Sequence, residues 1–390
     1  MFWLYNLIIL LSILAFPIIK LKSRKRGNVS LISRLSPNVP SDPGKILFHA
    51  ASIGEINTSK PLIEKLKDKV IITTFTDYGL ERAKQLFPEI PSRLIPLDFY
   101  PLTKSFLQKG NFSKILILET EIWPSLLKAA KELNIPVYFI SGKISSKTFS
   151  RAAKFKTFLE PLLSNATFLA KSKIDAERAK QLGFKNVKTV GDLKLAFKPP
   201  SQKAPLTIQG KRKVIIWGST HEGEEELALK THNYLKEKGF NILTIIAPRH
   251  TNRKLPLPSS QTAFRSKTKT VEEDVEFYVI DTIGELPSLY PHCDIAIIGG
   301  SFIKGIGGHN PVEAAAWKKP VIVGKHAYSF EDIIEALQIP TISASQLPVE
   351  LENLLSNNAL ADKLAEKIHK NYLKQKNVVE NILNAIGESD

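Results

Sequence analysis

The alternation of apolar and polar positions splits the chain into an apolar N-terminal stretch and two successions of short apolar runs and amphipathic segments. From Lys45 onward, runs rich in Ile, Leu and Val recur at 45–50, 70–74, 93–96, 113–118, 137–140, 167–170 and 187–190. Such near-continuous apolar runs predict strands covered on both faces. Between them, 54–67, 79–86, 124–133, 149–163 and 173–182 carry apolar residues at helical spacing, as Ile56, Leu62, Ile63 and Leu66 do. A Lys-Pro-Pro-Ser-Gln-Lys-Ala-Pro stretch then reads as a linker. The pattern restarts, with strands at 214–217, 241–247, 276–280, 294–298 and 320–323. Helices are predicted at 222–238, 284–290 and 330–337, and a polar helical stretch from 347 to the end. The alternation predicts an α/β protein with two Rossmann-like, doubly wound parallel sheets. The expected division is an N-terminal anchor with its basic flank at 1–26, a first domain at 27–197, a linker at 198–212 and a second domain at 213–390. Two such domains facing a cleft would bind ligands at the carboxyl ends of their strands.

Composition narrows this picture. At 390 residues with 43% hydrophobic and 24% charged residues, the chain can bury a core in each of two domains. One cysteine, Cys293, excludes a disulfide framework or a cysteine-rich zinc site within the chain and fits a reducing compartment. The net charge of +16 implies an anionic partner. No zinc-finger, homeodomain or RNA-recognition pattern is present, so nucleic acid is not the expected one. Phe2 to Ile19 has no charged residue, and Lys20, Lys22, Arg24, Lys25 and Arg26 follow it. As a helix this stretch would be about 27 Å long, just short of a bilayer core of about 30 Å. Positive charges after the apolar run, rather than before it, argue against a cleaved signal peptide. The expectation is a single-pass or surface-lying anchor that keeps the rest of the chain in the cytoplasm, with the basic flank on anionic headgroups.

Candidate chemistry lies where strands end. His49-Ala50-Ala51-Ser52-Ile53-Gly54-Glu55 follows the first strand, and Glu55 falls in the first turn of a helix. There the helix dipole would stabilise its charge and lower its pKa, and a second carboxylate nearby would raise it. Glu119 and Glu121 end the strand Leu116-Ile117-Leu118, where burying them is costly unless they are used or paired. The plain alternative is that one faces solvent and the other caps the helix after Pro124. In the second half, Trp217-Gly218-Ser219-Thr220-His221-Glu222-Gly223-Glu224 offers good caps and an acidic first turn. Arg249 ends the next strand and suits a phosphate. Gly299 to Glu313 reads as strand end, glycine-rich loop and helix start, an arrangement fit for a phosphate. It also reads as a plain cap, with Asn310 as N-cap, Pro311 first in the helix and Glu313 closing a capping box. His49, His221, His250 and His309 are isolated in sequence, and no cluster has metal-ligand spacing. No Gly-x-Gly-x-x-Gly follows a first strand, so a dinucleotide is not indicated.

Taken together, an ordered set of segments resembles the 3-deoxy-D-manno-octulosonic acid (Kdo) transferases of lipopolysaccharide synthesis. These are His49–Glu55, Thr73–Gly79, Pro96–Tyr100, Glu119–Pro124 (Glu-Thr-Glu-x-Trp-Pro), Gly191–Lys194, Ser219–Glu225, Pro248–His250, Gly284–Leu286, Gly299–Ser301 and Gly307–Ala316. The resemblance implies a GT-B fold and an inverting, metal-independent glycosyltransferase without a cofactor. It would move Kdo from CMP-Kdo onto a lipid A precursor, lipid IVA, at the cytoplasmic face of the inner membrane. By the same resemblance, Glu55 is the general base, and Glu119 and Lys194 stabilise the transition state. Pro248, Arg249, Ile283, Gly284, Glu285, Asn310, Pro311, Val312 and Glu313 would bind CMP. Two departures concern the acceptor side. The stretch Val29–Leu35 lacks the Arg-rich motif common after the anchor, and Ser141-Gly142-Lys143-Ile144-Ser145 has Lys where the family often has Arg, which keeps the charge and loses the fork. Two alternatives remain open at this stage: a GT-B lipid glycosyltransferase using another donor such as a UDP-sugar, and a non-catalytic, membrane-anchored nucleotide-sugar-binding module.

Overall fold

The computed structural model describes residues 1–22, 31–39, 42–375 and 377–388, with side chains throughout except those of 13–22 and 31–32. The basic residues Arg24, Lys25 and Arg26, and Val29 and Ser30 of the first departure, lie outside the described residues. The chain forms two compact units, Met1–Ala196 joined by the stretch from Asn377, and Phe197–Lys376.

The first unit holds a seven-stranded parallel sheet of β1 (Ile46–His49), β2 (Val70–Thr74), β3 (Ser92–Leu94), β4 (Lys114–Leu118), β5 (Val137–Gly142), β6 (Ala166–Ala170) and β7 (Asn186–Thr189). Its order is β3-β2-β1-β4-β5-β6-β7. β1 pairs with both β2 and β4, Ile46 lying beside Val70 on one side and Lys114 on the other. Successive side chains alternate between faces. Ile46 and Phe48 pack with Ile56, Leu62 and Ile63 of the helix Ile53–Leu66, while Leu47 packs on the other face with Phe106, Phe139 and Leu126. Both faces are therefore closed by helices, which is why the strands read as unbroken apolar runs.

The second unit repeats the plan. It contains β8 (Thr207–Ile208), β9 (Lys213–Thr220), β10 (Ile242–Pro248), β11 (Thr262–Phe264), β12 (Thr270–Val271), β13 (Phe277–Val279), β14 (Ile295–Ile298), β15 (Val321–Gly324) and β16 (Thr341–Ile342). β8 and β12 form a small sheet of their own, and the main sheet runs β11-β13-β10-β9-β14-β15-β16. In each unit the first long strand lies between the second and a later one: β1 between β2 and β4, β9 between β10 and β14. Each thus has a switch point at the carboxyl ends of β1/β4 and β9/β14, where a doubly wound sheet leaves a crevice for ligand.

The structure differs from the sequence reading in several places, among them the short strands β8, β11, β12 and β16, which it did not predict. Tyr100–Gly110 is a helix, with Pro101 in its first turn and Phe106 and Leu107 buried. The predicted 149–163 helix is two, Ser146–Ala153 and Lys156–Leu163. The C-terminal stretch, expected to be polar and to stay with the second domain, ends in the helix Val378–Ile386, which joins the first unit. Val378, Val379, Ile382, Leu383 and Ile386 enter the core beneath β1 and β2. Burying side chains of this size contributes about 1.5–3 kcal/mol each, which explains the return.

The apolar N-terminal stretch is the helix Phe2–Lys22. Among the described residues no helix is long and apolar enough to cross a membrane. The start of this helix instead docks on the first unit. The Tyr5 hydroxyl donates to Asp98 at 2.8 Å, and Asn6, almost fully buried, accepts from the Tyr100 N–H at 2.7 Å. Phe2 and Trp3 meet the Tyr100 ring edge-on. The same Asp98 accepts from the N–H groups of Ser125 and Leu126, so it ties the helix Pro124–Glu132 to the N-terminal one. Trp3, Leu4, Leu7, Ile8 and Leu11 remain exposed.

Candidate active site

In the first unit, polar side chains converge at the carboxyl ends of β1 and β4. Ser52 caps the helix Ile53–Leu66, and Glu55 stands at its third position. The Glu55 carboxylate turns back to accept from the Ala51 N–H at 2.8 Å and from the Ser52 hydroxyl at 3.2 Å. Cap and candidate base are thus the same group. The dipole argument predicted a lowered pKa; the structure shows the reverse. Burial, followed by the neighbouring charges of Glu119 and Glu121, raises Glu55 to about 7, against the opposing bonds from Ala51 and Ser52.

Glu119 follows β4 in the left-handed region at φ 56, a strained conformation for a residue with a side chain. Its N–H is taken by the Ile140 carbonyl, and its carboxylate lies 3.9 Å from the Lys194 ammonium. Lys194 is held by backbone contacts: its N–H donates to Asp192, and the Leu193 N–H donates to Ser141, itself left-handed at φ 51. Glu55, Glu119 and Lys194 therefore gather at one end of one sheet.

Glu121 neither faces solvent freely nor caps the next helix, whose N–H groups belong to Asp98. It meets His49 Nε2 at 2.9 Å and accepts from the Trp123 indole N–H at 3.3 Å. His49, buried, contacts the Thr73 hydroxyl through Nδ1 at 3.0 Å. Phe75 packs against Trp123, and the Arg34 guanidinium sits 4.2 Å above the Phe75 ring. Arg34 is buried, and among the described residues its Nε and Nη2 have no hydrogen-bond partner. Reasoning along the sequence missed both: His49 meets Glu121 across 72 positions, and Arg34 lies in the stretch noted only for its departure.

In the second unit, the site forms at β9 and β14. Ser219 is left-handed at φ 61, at the point where the pairing of β9 with β10 skips a residue. The irregularity lets the Arg249 N–H bond the Thr220 carbonyl at 2.9 Å. The Arg249 side chain is exposed, with no carboxylate at ion-pair distance among the described residues. His221, His250 and His309, isolated in sequence, come together here. The His221 and His309 rings lie nearly coplanar and end to end, with Nε2 atoms 2.8 Å apart, and His250 meets the His221 ring edge-on. Burial lowers the pKa of His221, and lowers that of His309 to about 4, with neighbouring cationic groups adding to both.

The glycine-rich loop departs from the expectation of free amides. Glu224, fully buried, accepts from the N–H groups of Gly300 at 2.7 Å, Ser301 at 3.1 Å and Phe302 at 3.0 Å, and from that of His221 at 2.9 Å. An internal carboxylate occupies the cradle. Gly299 is required there, because a Cβ would lie 2.5 Å from the Ser219 carbonyl oxygen. The capping box also fails to form. The helix is Val312–Ala316, Asn310 accepts from the Val312 N–H at 3.1 Å, and Pro311 lies buried just outside. Among the described residues the Glu313 carboxylate has no hydrogen bond, and burial raises it to about 7. Glu285, in contrast, is forked by the buried Arg265 and bonded by Thr282, which holds its pKa down. Ile283 beside it is 91% exposed, and Gly284 turns at φ 87. Of the residues expected to bind nucleotide, Arg249 and Glu313 thus present unpaired side chains, while Glu285 is already paired.

Among the described residues no group of His, Cys, Asp and Glu is placed to hold a metal ion. A first-unit carboxylate poised near neutrality can accept a proton, and the second unit's exposed arginine can bind an anion.

Comparison with known proteins adds the following. Residues 23–197 match the family model described as 3-deoxy-D-manno-octulosonic-acid transferase. The 3-deoxy-D-manno-octulosonic acid transferase of Haemophilus influenzae is 32% identical over 347 residues, 84% of this chain and 78% of that protein. The Aquifex aeolicus transferase of the same name is 31% identical over 324 residues, covering 80% and 86%. Among solved structures, a UDP-GlcNAc 2-epimerase from Neisseria meningitidis is similar in fold, with a TM-score of 0.59, 14% identity, and 88% and 100% of the two chains covered. Its two-domain α/β fold is of the GT-B type, in keeping with the two parallel sheets seen here. With relatives above 30% identity of which it covers 78% and 86%, this chain belongs to the family of 3-deoxy-D-manno-octulosonic acid transferases.

Proposed function

We propose that the protein transfers Kdo from CMP-Kdo to a sugar hydroxyl of a lipid A precursor, lipid IVA, with inversion and without a metal ion. The observation that carries this reading is the meeting of Glu55, Glu119 and Lys194 at one end of the first sheet, with Glu119 3.9 Å from Lys194, in a chain of this transferase family; burial raises Glu55 to about 7, which suits a base. Glu55 takes the proton of the attacking hydroxyl. The hydroxyl oxygen bonds the anomeric carbon of Kdo, the bond from that carbon to the phosphate oxygen breaks, and CMP leaves with the electron pair. Glu119 stabilises the positive charge that develops on the sugar, and Lys194 holds Glu119 and faces anionic groups. In the second unit Arg249 binds the departing phosphate, and the unpaired Glu313 accepts from ribose hydroxyls. Ile283 and Gly284 offer an apolar side chain and a close backbone approach to the nucleotide. Glu285, held by Arg265, shapes that turn.

We place the protein at the cytoplasmic face of the inner membrane, lying on its surface. Supporting this is the N-terminal helix, docked through Tyr5 and Asn6 with Trp3, Leu7 and Leu11 exposed. An apolar face of this kind enters the headgroup boundary without crossing the bilayer. Replacing Trp3, Leu7 and Leu11 by Ser should abolish cosedimentation with anionic vesicles; unchanged binding would contradict the placement.

The test of the reaction is direct. Purified protein with CMP-Kdo and the tetra-acylated precursor should release one CMP for each Kdo found in product. Folded protein that releases none overturns the reading. Stabilisation by UDP rather than CMP in a thermal-shift comparison would redirect it to another donor.

A further inference from the structure

Glu224 has an unusual set of partners. It is fully buried on the helix Glu224–Glu237, which starts at Gly223, and its two oxygens accept four backbone N–H bonds. Three come from one segment, Gly300–Phe302, and one from His221, 79 positions earlier than the first of them in the chain. One of these segments carries the His221 imidazole, and the other is tied to Gly308, next to His309. The His221 end is fixed by its own backbone N–H on Glu224. The His309 end is fixed through Gly300, whose N–H is on Glu224 and whose carbonyl accepts from the Gly308 N–H at 2.7 Å. His309 also packs on Gly300 so closely that a Cβ there would lie 2.9 Å from the ring.

We propose that Glu224 is a positioning residue that holds the His221–His309 pair, and through it the phosphate-facing surface beside Arg249, in one arrangement. The proposal rests on the donor reading given above and extends it. Two imidazoles joined Nε2 to Nε2 at 2.8 Å share one hydrogen. One ring donates from Nε2; the other accepts there and must carry its own hydrogen on Nδ1, the less common tautomer of a free imidazole. His250, Arg249, Arg253 and Glu225 face His221, and Arg249 and His250 face His309. With so many cationic groups around them, and both pKa values lowered, the pair stays neutral at pH 7 and offers an anion polar contacts without a further fixed charge. Glu225, which also faces Glu224, is engaged by Arg253 and Thr220.

The carboxylate matters because an amide cannot replace it. In Glu224→Gln one oxygen remains to accept and the NH2 group confronts the N–H groups, so at least one buried donor loses its partner. The experiment is long-range 1H–15N spectroscopy on the full-length protein labelled at histidine, with CMP titrated into each sample. The wild type should show one imidazole fixed as the Nδ1–H tautomer and one as Nε2–H. His309→Gln assigns the pair by removing one signal set and releasing the other. Glu224→Gln should show both rings averaging between tautomers and CMP binding weakened about tenfold or more. Fixed tautomers retained in Glu224→Gln would overturn the proposal, as would wild-type CMP affinity. Should Glu224→Gln not fold, Glu224→Asp, whose shorter carboxylate cannot span both segments, is read in its place with the same two outcomes. If the wild type shows the fixed pair but binds no CMP, the donor reading fails while the positioning role stands.

Discussion

Each unit places a Gly-Glu pair just beyond its first long strand: Gly54-Glu55 after β1 and Gly223-Glu224 after β9. Both glutamates lie at the start of a helix at a switch point, yet their surroundings give them opposite characters. Glu224 is fully buried and accepts four N–H bonds. Glu55 is partly exposed, accepts one N–H and one hydroxyl, and has two other carboxylates beside it. Burial and Glu225 push Glu224 upward as burial and Glu119 push Glu55, but four N–H donors oppose this and engage both oxygens, so the side chain pins two segments. One donor and two like charges leave a carboxylate whose proton is in balance near neutrality. Position in the fold makes a site available; the number of donors and the degree of exposure decide what the side chain does there.

The largest effect should come from removing the titrating member. Glu55→Gln should lower kcat by about 10²–10⁴, the usual contribution of general base catalysis, while CMP binding in calorimetry stays as in the wild type. Loss of CMP binding would mean that the two units' residues do not divide the work as described.

Next comes the structural member. Glu224→Ala leaves up to four buried donors without a partner, at about 1–3 kcal/mol for each that water does not reach. Thermal unfolding should show a clear fall in Tm for this variant, whereas Glu55→Gln should match or exceed the wild type. The pH dependence gives the sign. A carboxylate raised in the folded state from 4.5 to about 7 favours folding fully only below 4.5, and that contribution is lost as pH rises through 7. The advantage of Glu55→Gln in Tm should therefore grow between pH 5 and pH 8. An advantage that shrinks would contradict the raised pKa.

A smaller change should follow from editing the neighbours. Glu121→Gln removes one like charge, so the acid limb of the kcat/KM profile should move to lower pH, by about one unit or less for partly solvated charges. His49→Gln, which keeps a donor toward Glu121, should move it less. A movement to higher pH in Glu121→Gln would show that Glu121 does not act on Glu55 as a charge.

The smallest effect on turnover is expected at a second Thr–His–Glu group. His232 contacts Thr244 at 2.9 Å and Glu276 at 3.1 Å, much as His49 contacts Thr73 and Glu121. Glu276 precedes β13, at the amino end of the sheet, away from the switch point. His232→Gln should lower Tm and leave kcat/KM unchanged; altered kcat/KM with unchanged Tm would contradict a purely structural role.

The sequence made the repeated strand–helix plan readable, because strands covered on both faces leave apolar runs that side-chain period alone reveals. It also pointed to Glu55, Glu119 and Lys194, which the fold brings to one sheet end. The rest was hidden for physical reasons. Whether Glu55 is raised or lowered depends on burial and on charges more than 60 positions away, which local helix logic cannot weigh. Glu224 looked like an ordinary first-turn acid because its partners, Gly300 to Phe302, lie far along the chain. The His221–His309 pair spans 88 positions. The C-terminal helix carried a readable apolar face, Val378 to Ile386, but nothing local says which core it completes. Asn310, Pro311 and Glu313 fit a capping box on paper; in the fold Asn310 turns to Val312, and Glu313 has no hydrogen-bond partner among the described residues.

The most direct test of the central claim is the pH profile of kcat/KM, which reports ionisation in the free enzyme. With CMP-Kdo and the tetra-acylated precursor, the account predicts a rate that rises with pH through a midpoint near 7, and a residual Glu55→Gln rate without that rise. A midpoint below 5, or the same rise retained in Glu55→Gln, would contradict it.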